Sequence, residues 1–430
     1  MIVDTTEQLQ ELIEEVKGKE IIVVVIHEDE YTHPVFNIII GYYIRTFEGK
    51  EYTILQSHPE TNLFVDALPI IESASKVYAI HKHALMYNRI DLVTKVVDGN
   101  LQTYLKTGQT PDPEHFKAAE FYSRRMPAKT NLFVDPMKIQ QQCRLLASKV
   151  IQTHNICEDF YTDGFLHVFH TIESNGIKVD AIKFKEHFPE YPLIGDLVFS
   201  KYNFFTSTGR PSNRFGGVNF AALNKEDDTR SCFISRYGYS GVLVEIDFQS
   251  YHPRILADLV GYKVDASENI YEHLAKHYFE TETPTPAQIS ESKELTFRQM
   301  YGGISHKYKG IEYFSRVQNF TDMVWEYYEK HGAIQSKVSK RDILNVEDAS
   351  PTKLLNYLIQ LHETEQNVVF LYALFKELDE MIKPILYTYD SVLFDLPQEK
   401  LEDLENLLKK VIPADFPYRL KKGPNYKDLA

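Results

Sequence analysis

The sequence predicts an α+β protein of several domains, in which a small α/β domain precedes a larger unit of helices around one central sheet. Three observations lead to this class. The 430 residues, 43% apolar and 25% charged, have the composition of a globular chain that is long enough for one to three domains. Strand and helix patterns alternate over residues 1–106. Beyond residue 205, two apolar strands that carry aspartate at their ends are separated by long helical stretches.

The first domain is predicted over residues 1–110. An amphipathic helix fits 6–18, and the short β-branched run at 21–26 is typical of a buried strand. After this strand the pattern predicts further strands at 37–44, 51–55 and 77–80, followed by helix to about residue 106. Turn-forming residues at 107–114 then predict the first linker.

Residues 111–200 form the second predicted region, mostly helical from 115 to 175 and irregular from 180 to 205. The third region, 201–430, is predicted to contain one central sheet. Its predicted strands are 241–248, 385–389, 391–396 and a closing strand near 417–420, and its predicted helices are 253–259, 269–301, 317–331, 351–380 and 398–411.

The formal net charge of −14 argues at first against a nucleic-acid binder, because acidic surfaces repel phosphates. Residues 205–254, however, contain six Lys and Arg and five Asp and Glu, a local net charge of +1. Screening over ~8 Å at physiological salt limits the reach of distant acids. We therefore expect any nucleic acid to bind in a local cleft, with weak and salt-sensitive binding elsewhere.

Cysteine usage and apolar runs predict a cytoplasmic protein. Three cysteines without a CxxC pair argue against a disulfide framework or a zinc site. The first 20 residues are acidic and amphipathic, unlike a secretory signal. The longest apolar runs, at 21–26 and 368–375, fall far short of the ~18 residues that span a bilayer. We expect no membrane partner.

Two aspartates stand at the ends of apolar strand patterns. Asp247 closes the pattern GVLVEID, and Asp390 lies between two apolar half-strands in ILYTYDSVLFDLP. Asp is also a preferred turn residue, so each alone has an ordinary structural explanation. Their functional interpretation depends on the segments that accompany them.

One basic and two aromatic residues share a predicted helix face. Lys293, Phe297 and Tyr301 are spaced i, i+4 and i+8, and two glycines then end the helix. Such a face offers a phosphate contact beside a stacking platform, or it simply buries two rings. Upstream, TSTGRPSNRFGGVNF is rich in groups that bind sugar and phosphate oxygens, although ordinary surface loops share that composition.

Taken in order, eight segments over roughly 170–430 resemble motifs of the family-A DNA polymerases. EIDFQSYHPRILADL is similar to motif A (DYSQIELRxLA), KELTFRQMYGG to motif B (KxxxFxxxYG) and YTYDSVLFDLP to motif C (HDExxFE). The other five also resemble family segments: FHTIESNGIKVD, TSTGRPSNRFGGVNF, TRSCFI, NYLIQ and RLKKGPNYKDL.

This resemblance implies a right-hand fold, with a palm built on an antiparallel sheet, helical fingers and a reduced thumb, preceded by an α/β exonuclease-like domain. It implies a template-directed DNA polymerase that adds dNTPs to the 3′ end of primer-template DNA by two-metal phosphoryl transfer. Two Mg²⁺ ions, with Mn²⁺ as a substitute, would be held by Asp247, Asp390 and the Phe248 carbonyl. Lys293 would join the two aspartates in catalysis by meeting the triphosphate.

Further roles are carried over from the same motifs. The positions that resemble nucleotide-binding residues are Phe297, Tyr301, His252 and Arg298, and those that resemble DNA-binding residues are Arg210, Arg254, Gln360, Asn219 and Arg230.

Three substitutions depart from the family pattern. His252 replaces the motif-A Glu that screens out ribonucleotides, so His252 either acts as a steric gate by its bulk or is only a half-buried polar side chain. Ser391 replaces the second carboxylate of motif C. Ile289 replaces an Arg that precedes Lys293 by one turn, and Arg298 is one cation that would compensate.

The predicted thumb and amino-terminal domain are also reduced. Only 25 residues separate Asp180 from Thr206, where the family has a long helical thumb, so either the helices at 115–170 replace it or it is nearly absent. We expect distributive synthesis and a processivity or replisome partner. The exonuclease carboxylates do not match near Asp29, and Tyr87 stands where an Asp is expected. This domain is therefore predicted to be inactive, or to be an unrelated α/β domain.

A compact chain with degenerate motifs resembles bacteriophage enzymes, which would place it in DNA replication in the host cytoplasm. Two alternatives stay open. An RNA-synthesising or primase-like relative fits His252 and the Asp-Ser of motif C. A catalytically dead pseudo-polymerase that binds nucleic acid or replication proteins fits the changes at Ile289 and Ser391.

Overall fold

The computed structural model divides the chain into two compact units, Met1–His170 and Thr171–Ala430. The boundary between the units lies within 111–200, the second of the three regions predicted from the sequence. The residues described are 1–28, 33, 35–56, 58–59, 63–80, 82–88, 96–109, 130–152, 160–191, 193–213, 218–224 and 227–429. Within these ranges, no helix combines the length and the apolar character that a bilayer crossing requires.

Unit 1 is a mixed α/β unit. In chain order its elements are α1 (Thr6–Val16), β1 (Glu20–His27), β2 (Ile39–Thr46), β3 (Glu51–Leu55), α2 (Leu68–Ser73), β4 (Lys76–Ile80), α3 (Lys82–Asn88), β5 (Val96–Asp98), α4 (Gly99–Thr107) and α5 (Pro136–Ser148).

Its five strands form one sheet in the order β3-β2-β1-β4-β5. β1 is antiparallel to β2 and parallel to β4, and β5 continues the sheet parallel to β4. Successive β1 residues point to opposite faces, so Val23 packs in the core beneath α1 and α2, and Val24 in the core beneath α5. The four strands predicted here are confirmed, whereas β5 was wrongly placed within a helical pattern.

Unit 2 takes up the chain within α6, the helix that crosses the unit boundary. Its elements in order are α6 (Leu166–Asn175), β6 (Ile177–Lys178), α7 (Ala181–His187), β7 (Leu197–Val198), β8 (Tyr202–Asn203), β9 (Ser212–Asn213), β10 (Gly241–Phe248), α8 (Tyr251–Leu259), α9 (Ile270–Tyr278), α10 (Pro286–Gly302), α11 (Glu312–His331), β11 (Ala333–Gln335), β12 (Asp342–Leu344), α12 (Pro351–Glu377), β13 (Lys383–Thr388), β14 (Ser391–Pro397), α13 (Leu401–Val411) and β15 (Tyr418–Gly423).

The central sheet of unit 2 has the order β13-β14-β10-β15, and every neighbouring pair is antiparallel. β10 lies between β14 and β15 and is buried at six of its eight positions. This confirms the central antiparallel sheet, and β6–β7, β8–β9 and β11–β12 form three small two-stranded sheets besides it. The register places Asp247 opposite Ser391, the first residue after the β13–β14 turn.

The helices α8 to α12 share an apolar core that includes Leu256, Leu274 and Phe314. The sequence predicted one helical block over 269–301, but the structure divides it into α9 and α10. Glu280 adopts a positive φ of 51° in the break. α10 then starts afresh at Thr285, which forms a capping box with Gln288 and precedes Pro286.

The segment between Asp180 and Thr206 is short, as the sequence indicated. In its described part it contains the seven-residue helix α7 and the short strands β7 and β8. The described residues of this segment contain no helix longer than α7.

Candidate active site at the end of the central sheet

Asp247 and Asp390 converge at one end of the central sheet. Asp247 is the penultimate residue of β10, and Asp390 is the second residue of the two-residue turn that joins β13 to β14. Tyr389, the first turn residue, adopts φ +65°, which lets the strands reverse over so short a loop. The backbone N–H of Phe248 donates to the Asp390 carbonyl over 3.0 Å. Strand pairing therefore brings together two residues that lie far apart in the sequence.

The two carboxylates oppose one another electrostatically. Burial raises the pKa of Asp390, and the negative charges of Glu363 and Asp247 raise it further, while Arg210 acts in the opposite direction. An additional cation near Asp390 would relieve this repulsion.

Lys421 on β15 supplies a cation beside Asp247. Its ammonium is paired with the Asp247 carboxylate and lies 3.1 Å from Glu245 Oε2. Glu245 precedes Asp247 by two residues and so shares its face of β10. Burial lowers the pKa of Lys421, but the hydrogen bond to Asp247 and the charge of Glu245 outweigh burial and raise it overall. Lys421 is therefore a built-in counter-ion for this pair.

A buried carboxylate on α12 lies close to the same site. Glu363 is 1% exposed, and its Oε1 lies 2.9 Å from His252 Nε2. The other imidazole nitrogen, Nδ1, is hydrogen-bonded to the Tyr301 hydroxyl. Glu363 thus links α8 to the last turn of α10 through one histidine.

Arg210 completes this cluster from the loop after β8. Its Nε lies 2.8 Å from Glu363 Oε2, and its guanidinium carbon lies 3.7 Å from the centre of the Tyr389 ring. Arg210 is thereby stacked on the turn that carries Asp390.

Asn367 on α12 also holds that turn. It is 1% exposed, donates to the Tyr389 carbonyl over 2.8 Å and accepts from the Tyr251 hydroxyl over 2.7 Å. The turn is therefore fixed by α12 as well as by β10, which orients Asp390 before any ligand is bound.

The predicted Lys-Phe-Tyr face is present on α10. The rings of Phe297 and Tyr301 are parallel, at 9°, with centroids 5.8 Å apart. Lys293 and Arg298 are exposed, and the described residues offer neither of them an ion-pair partner. Ile289, in the position of the expected Arg, packs against the helical core.

The predicted DNA contacts lie in different surroundings. Gln360 is half-buried on α12, one turn before Glu363, and Asn219 is exposed beside a short 3₁₀ turn. Arg230 lies over the Tyr426 ring, 4.6 Å from its centre, and donates to a backbone carbonyl.

Arg254 differs from these residues because it is 5% exposed. Its guanidinium donates to the Glu268 carbonyl over 2.6 Å and also reaches the carbonyls of Asp265 and Asp415. The DNA contact predicted for Arg254 would require these bonds to break.

The donor set near Asp247 and Asp390 has the chemistry of a magnesium site. The two carboxylates and the Phe248 carbonyl are hard oxygen donors. Nowhere in the described ranges do three or more His, Cys, Asp or Glu side chains form a metal-binding group. A two-carboxylate set still suits Mg²⁺, which keeps several waters and takes further ligands from substrate phosphates.

Sequence reasoning missed Glu363, Asn367, Lys421 and Glu245. Glu363 and Asn367 follow Gln360 at helical spacing, which is a weak signal. Glu245 and Lys421 sit on strands whose pairing was not known, so nothing in the local pattern showed that they meet.

In unit 1, the position that replaces the expected exonuclease Asp is packed among rings. The Tyr87 ring centre lies 4.5 Å from that of His170 and 6.2 Å from that of His33. Burial lowers the pKa of His170 to about 4. Asp29 and Asp91, the nearby carboxylates in the sequence, lie outside the described residues.

The chain is a mixed α/β protein, and its fold is similar to that of a DNA polymerase domain of known structure. The similar structure is the polymerase domain of Pol1 from M. smegmatis, in complex with a DNA primer-template and dNTP. The TM-score is 0.70 over 100% of this chain and 99% of that chain, at 14% sequence identity. No protein-family model and no curated protein matches the sequence.

Proposed function

We propose that the chain is a template-directed DNA polymerase of the family-A type, which adds dNTPs to a primer 3′ end. The observation that carries the proposal is the convergence of Asp247 and Asp390 at one end of the sheet. Glu363, whose charge acts on Asp390, is linked through His252 to Tyr301, the last residue of the Lys-Phe-Tyr face. The likeness to a polymerase domain bound to primer-template and dNTP supports the same substrates.

The proposed mechanism assigns a task to each group. Divalent ions, when bound, would supply charge neutralisation for the primer hydroxyl and the leaving pyrophosphate. Asp247, Asp390 and the Phe248 carbonyl would hold them. The exposed Lys293 ammonium attracts the triphosphate, and the parallel rings of Phe297 and Tyr301 give the base a stacking surface. Arg298 lies on the same helix as a second exposed cation.

Arg210, Gln360, Asn219 and Arg230 are the proposed DNA contacts. An RNA-synthesising relative is the second candidate. It is favoured by His252 and Ser391, which replace the motif-A Glu and the second motif-C carboxylate of the family pattern. Template-directed extension of a labelled primer with dNTPs or rNTPs separates the two. Incorporation of dNTPs that match the template supports the proposal, and incorporation of rNTPs alone supports the relative. Failure to extend with either, together with binding of primer-template DNA, supports a pseudo-polymerase.

We further propose an inactive exonuclease-like role for unit 1 and a replisome partner that compensates for the short thumb, in a phage replication system in host cytoplasm. The packed surroundings of Tyr87, which stands where an exonuclease Asp is expected, support the proposed inactivity. To test inactivity, a 3′-labelled duplex is incubated with Mg²⁺ and either wild-type enzyme or a blank purified from cells without the enzyme. Label loss that rises with the amount of enzyme and is not seen with the blank would contradict inactivity.

A further inference from the structure

Glu245 is a buried carboxylate beside the candidate metal site, and the proposed mechanism gives it no task. It precedes Asp247 by two residues on β10, so the two side chains share one face of the sheet, and it is 9% exposed. Burying a carboxylate is costly unless charges or hydrogen bonds satisfy it. The partners of Glu245 therefore indicate what it does.

One oxygen of Glu245 is held from the neighbouring strand β14. Glu245 Oε1 accepts from the Ser391 hydroxyl over 3.4 Å, and that hydroxyl lies 2.6 Å from the Thr388 hydroxyl on the other side of the β13–β14 turn. Ser391 stands opposite Asp247 in the strand pairing, at the position where motif C of the resembled family has its second carboxylate. In this chain, a carboxylate from β10 lies beside that position.

The other oxygen of Glu245 shares an ammonium with Asp247. Lys421 Nζ lies 3.1 Å from Glu245 Oε2 and is also hydrogen-bonded to the Asp247 carboxylate. An ammonium has three N–H donors, so Lys421 can lose one of these bonds and keep the other. A divalent cation on Asp247 would repel Lys421, and Glu245 would retain it. Because Glu245 is also bonded to Ser391, its own position does not depend on Lys421 alone.

We propose that Glu245 is a positioning residue that makes divalent-cation binding an exchange of cations: the Lys421 ammonium gives up Asp247 to the incoming ion but keeps its bond to Glu245. This inference rests on the proposed function, because it concerns how the candidate catalytic site takes up its metal. It also explains why a carboxylate is buried two residues before Asp247. The exchange needs an anionic partner for Lys421 that the metal does not use.

Mn²⁺ binding without DNA or nucleotide tests this exchange, because the readout does not depend on polymerase activity. Electron paramagnetic resonance of free Mn²⁺ gives the dissociation constant for wild type, Glu245→Gln, Lys421→Ala and the double variant. Gln keeps the size of the side chain and can still accept from Ser391. In Glu245→Gln the ammonium is left with Asp247, so Mn²⁺ must displace a tighter pair and should bind about tenfold more weakly than to wild type.

The Lys421→Ala background distinguishes the exchange from direct coordination of the metal by Glu245. Without the ammonium, Glu245→Gln removes only a charge that the ion does not contact, and it should weaken Mn²⁺ binding about threefold or less. If Glu245 were itself a metal ligand, the loss would be as large in the Lys421→Ala background as in wild type, or larger. That result would overturn the inference.

Glu405→Gln is the matched control for loss of a negative charge near β15. Glu405 is half-buried on α13, and burial together with the Glu405 charge raises the pKa of Tyr418, the first residue of β15. Glu405→Gln should leave the Mn²⁺ affinity unchanged. An equal loss of affinity in Glu405→Gln and Glu245→Gln would mean that net charge alone is responsible, which would contradict the exchange.

If Glu245→Gln does not fold by circular dichroism, Glu245→Asp decides. It keeps the charge but shortens the reach to Lys421 by one methylene, so Mn²⁺ should again bind more weakly, and wild-type affinity would refute the inference. A protein that shows the expected affinities yet extends no primer refutes the polymerase proposal alone. Primer extension together with equal Mn²⁺ affinity in wild type and Glu245→Gln refutes this inference alone, and a wild type that binds no Mn²⁺ refutes both this inference and the metal site.

Discussion

Removing Lys421 should strengthen divalent-cation binding while weakening the metal-free fold. The Lys421 ammonium is 3.1 Å from Glu245 and paired with Asp247, and its side chain is 31% exposed. At this separation a unit-charge pair is worth roughly 1 kcal/mol in water and roughly 5 kcal/mol at an effective dielectric constant of 20. Desolvation and side-chain ordering offset most of that energy, so about 1–2 kcal/mol remains for a half-buried pair.

In Lys421→Ala the two carboxylates lose this internal counter-ion. We expect the thermal midpoint without metal to fall by about 2–8 °C, from roughly 2–4 °C per kcal/mol in a unit of this size. The same energy no longer opposes an incoming cation, so Mn²⁺ should bind about tenfold more tightly, since 1.4 kcal/mol corresponds to a factor of ten. Titration of the metal-free protein followed by electron paramagnetic resonance measures free Mn²⁺ directly.

Lys422→Ala is the matched control because Lys422 is exposed and points to the opposite face of β15. It should change neither the midpoint nor the Mn²⁺ affinity. Equal Mn²⁺ affinity in wild type and Lys421→Ala, or weaker binding by the variant, would refute the assignment of Lys421 as counter-ion at the proposed metal site.

Three further outcomes are expected. Asp390→Asn should abolish primer extension yet raise the metal-free melting midpoint at neutral pH. Because the pKa of Asp390 is raised in the folded state, ionisation of its carboxyl lowers wild-type stability as pH rises from about 3.8 through the folded-state pKa. The melting midpoints of wild type and variant should therefore converge towards pH 4 in melts recorded from pH 4 to 8. Asp395→Ala should cost about 3–5 kcal/mol in urea unfolding, because a fully buried carboxylate paired with Arg236 is lost; a change below 1 kcal/mol would contradict this. Arg210→Lys should lower kcat/KM for dNTP about tenfold, since an ammonium replaces a planar group stacked on Tyr389; unchanged kinetics would exclude that role.

The sequence was a good guide to elements that are set by local patterns. β1 and β4 could be predicted because β-branched residues crowd short runs. β5 could not, because three residues carry no period and the strand exists only through its pairing with β4. The division of α9 from α10 was missed, although the prolines at 284 and 286 and the polar run at 280–285 both mark it.

Within the candidate site, too, some residues could be predicted from the sequence and others could not. Asp247 and Asp390 could be selected from their motifs, and the i, i+4 spacing predicted that Phe297 and Tyr301 share one face of α10, where their rings lie parallel. The partners of these residues could not be selected. Lys421 meets Asp247 across 174 residues and Glu363 meets His252 across 111, so their roles depend on a tertiary arrangement that spacing does not encode.

Single-turnover primer extension with Mg²⁺ tests the central claim most directly, with wild type compared with Asp247→Ala, Asp390→Ala and the surface control Asp322→Asn. Metal placement contributes several kcal/mol of transition-state stabilisation, so each catalytic variant should lose on the order of 10³-fold or more in rate while still binding primer-template DNA. Asp322→Asn, on the exposed face of α11, should match wild type. A wild type that does not extend the primer, or aspartate variants that extend it at the wild-type rate, would contradict the account.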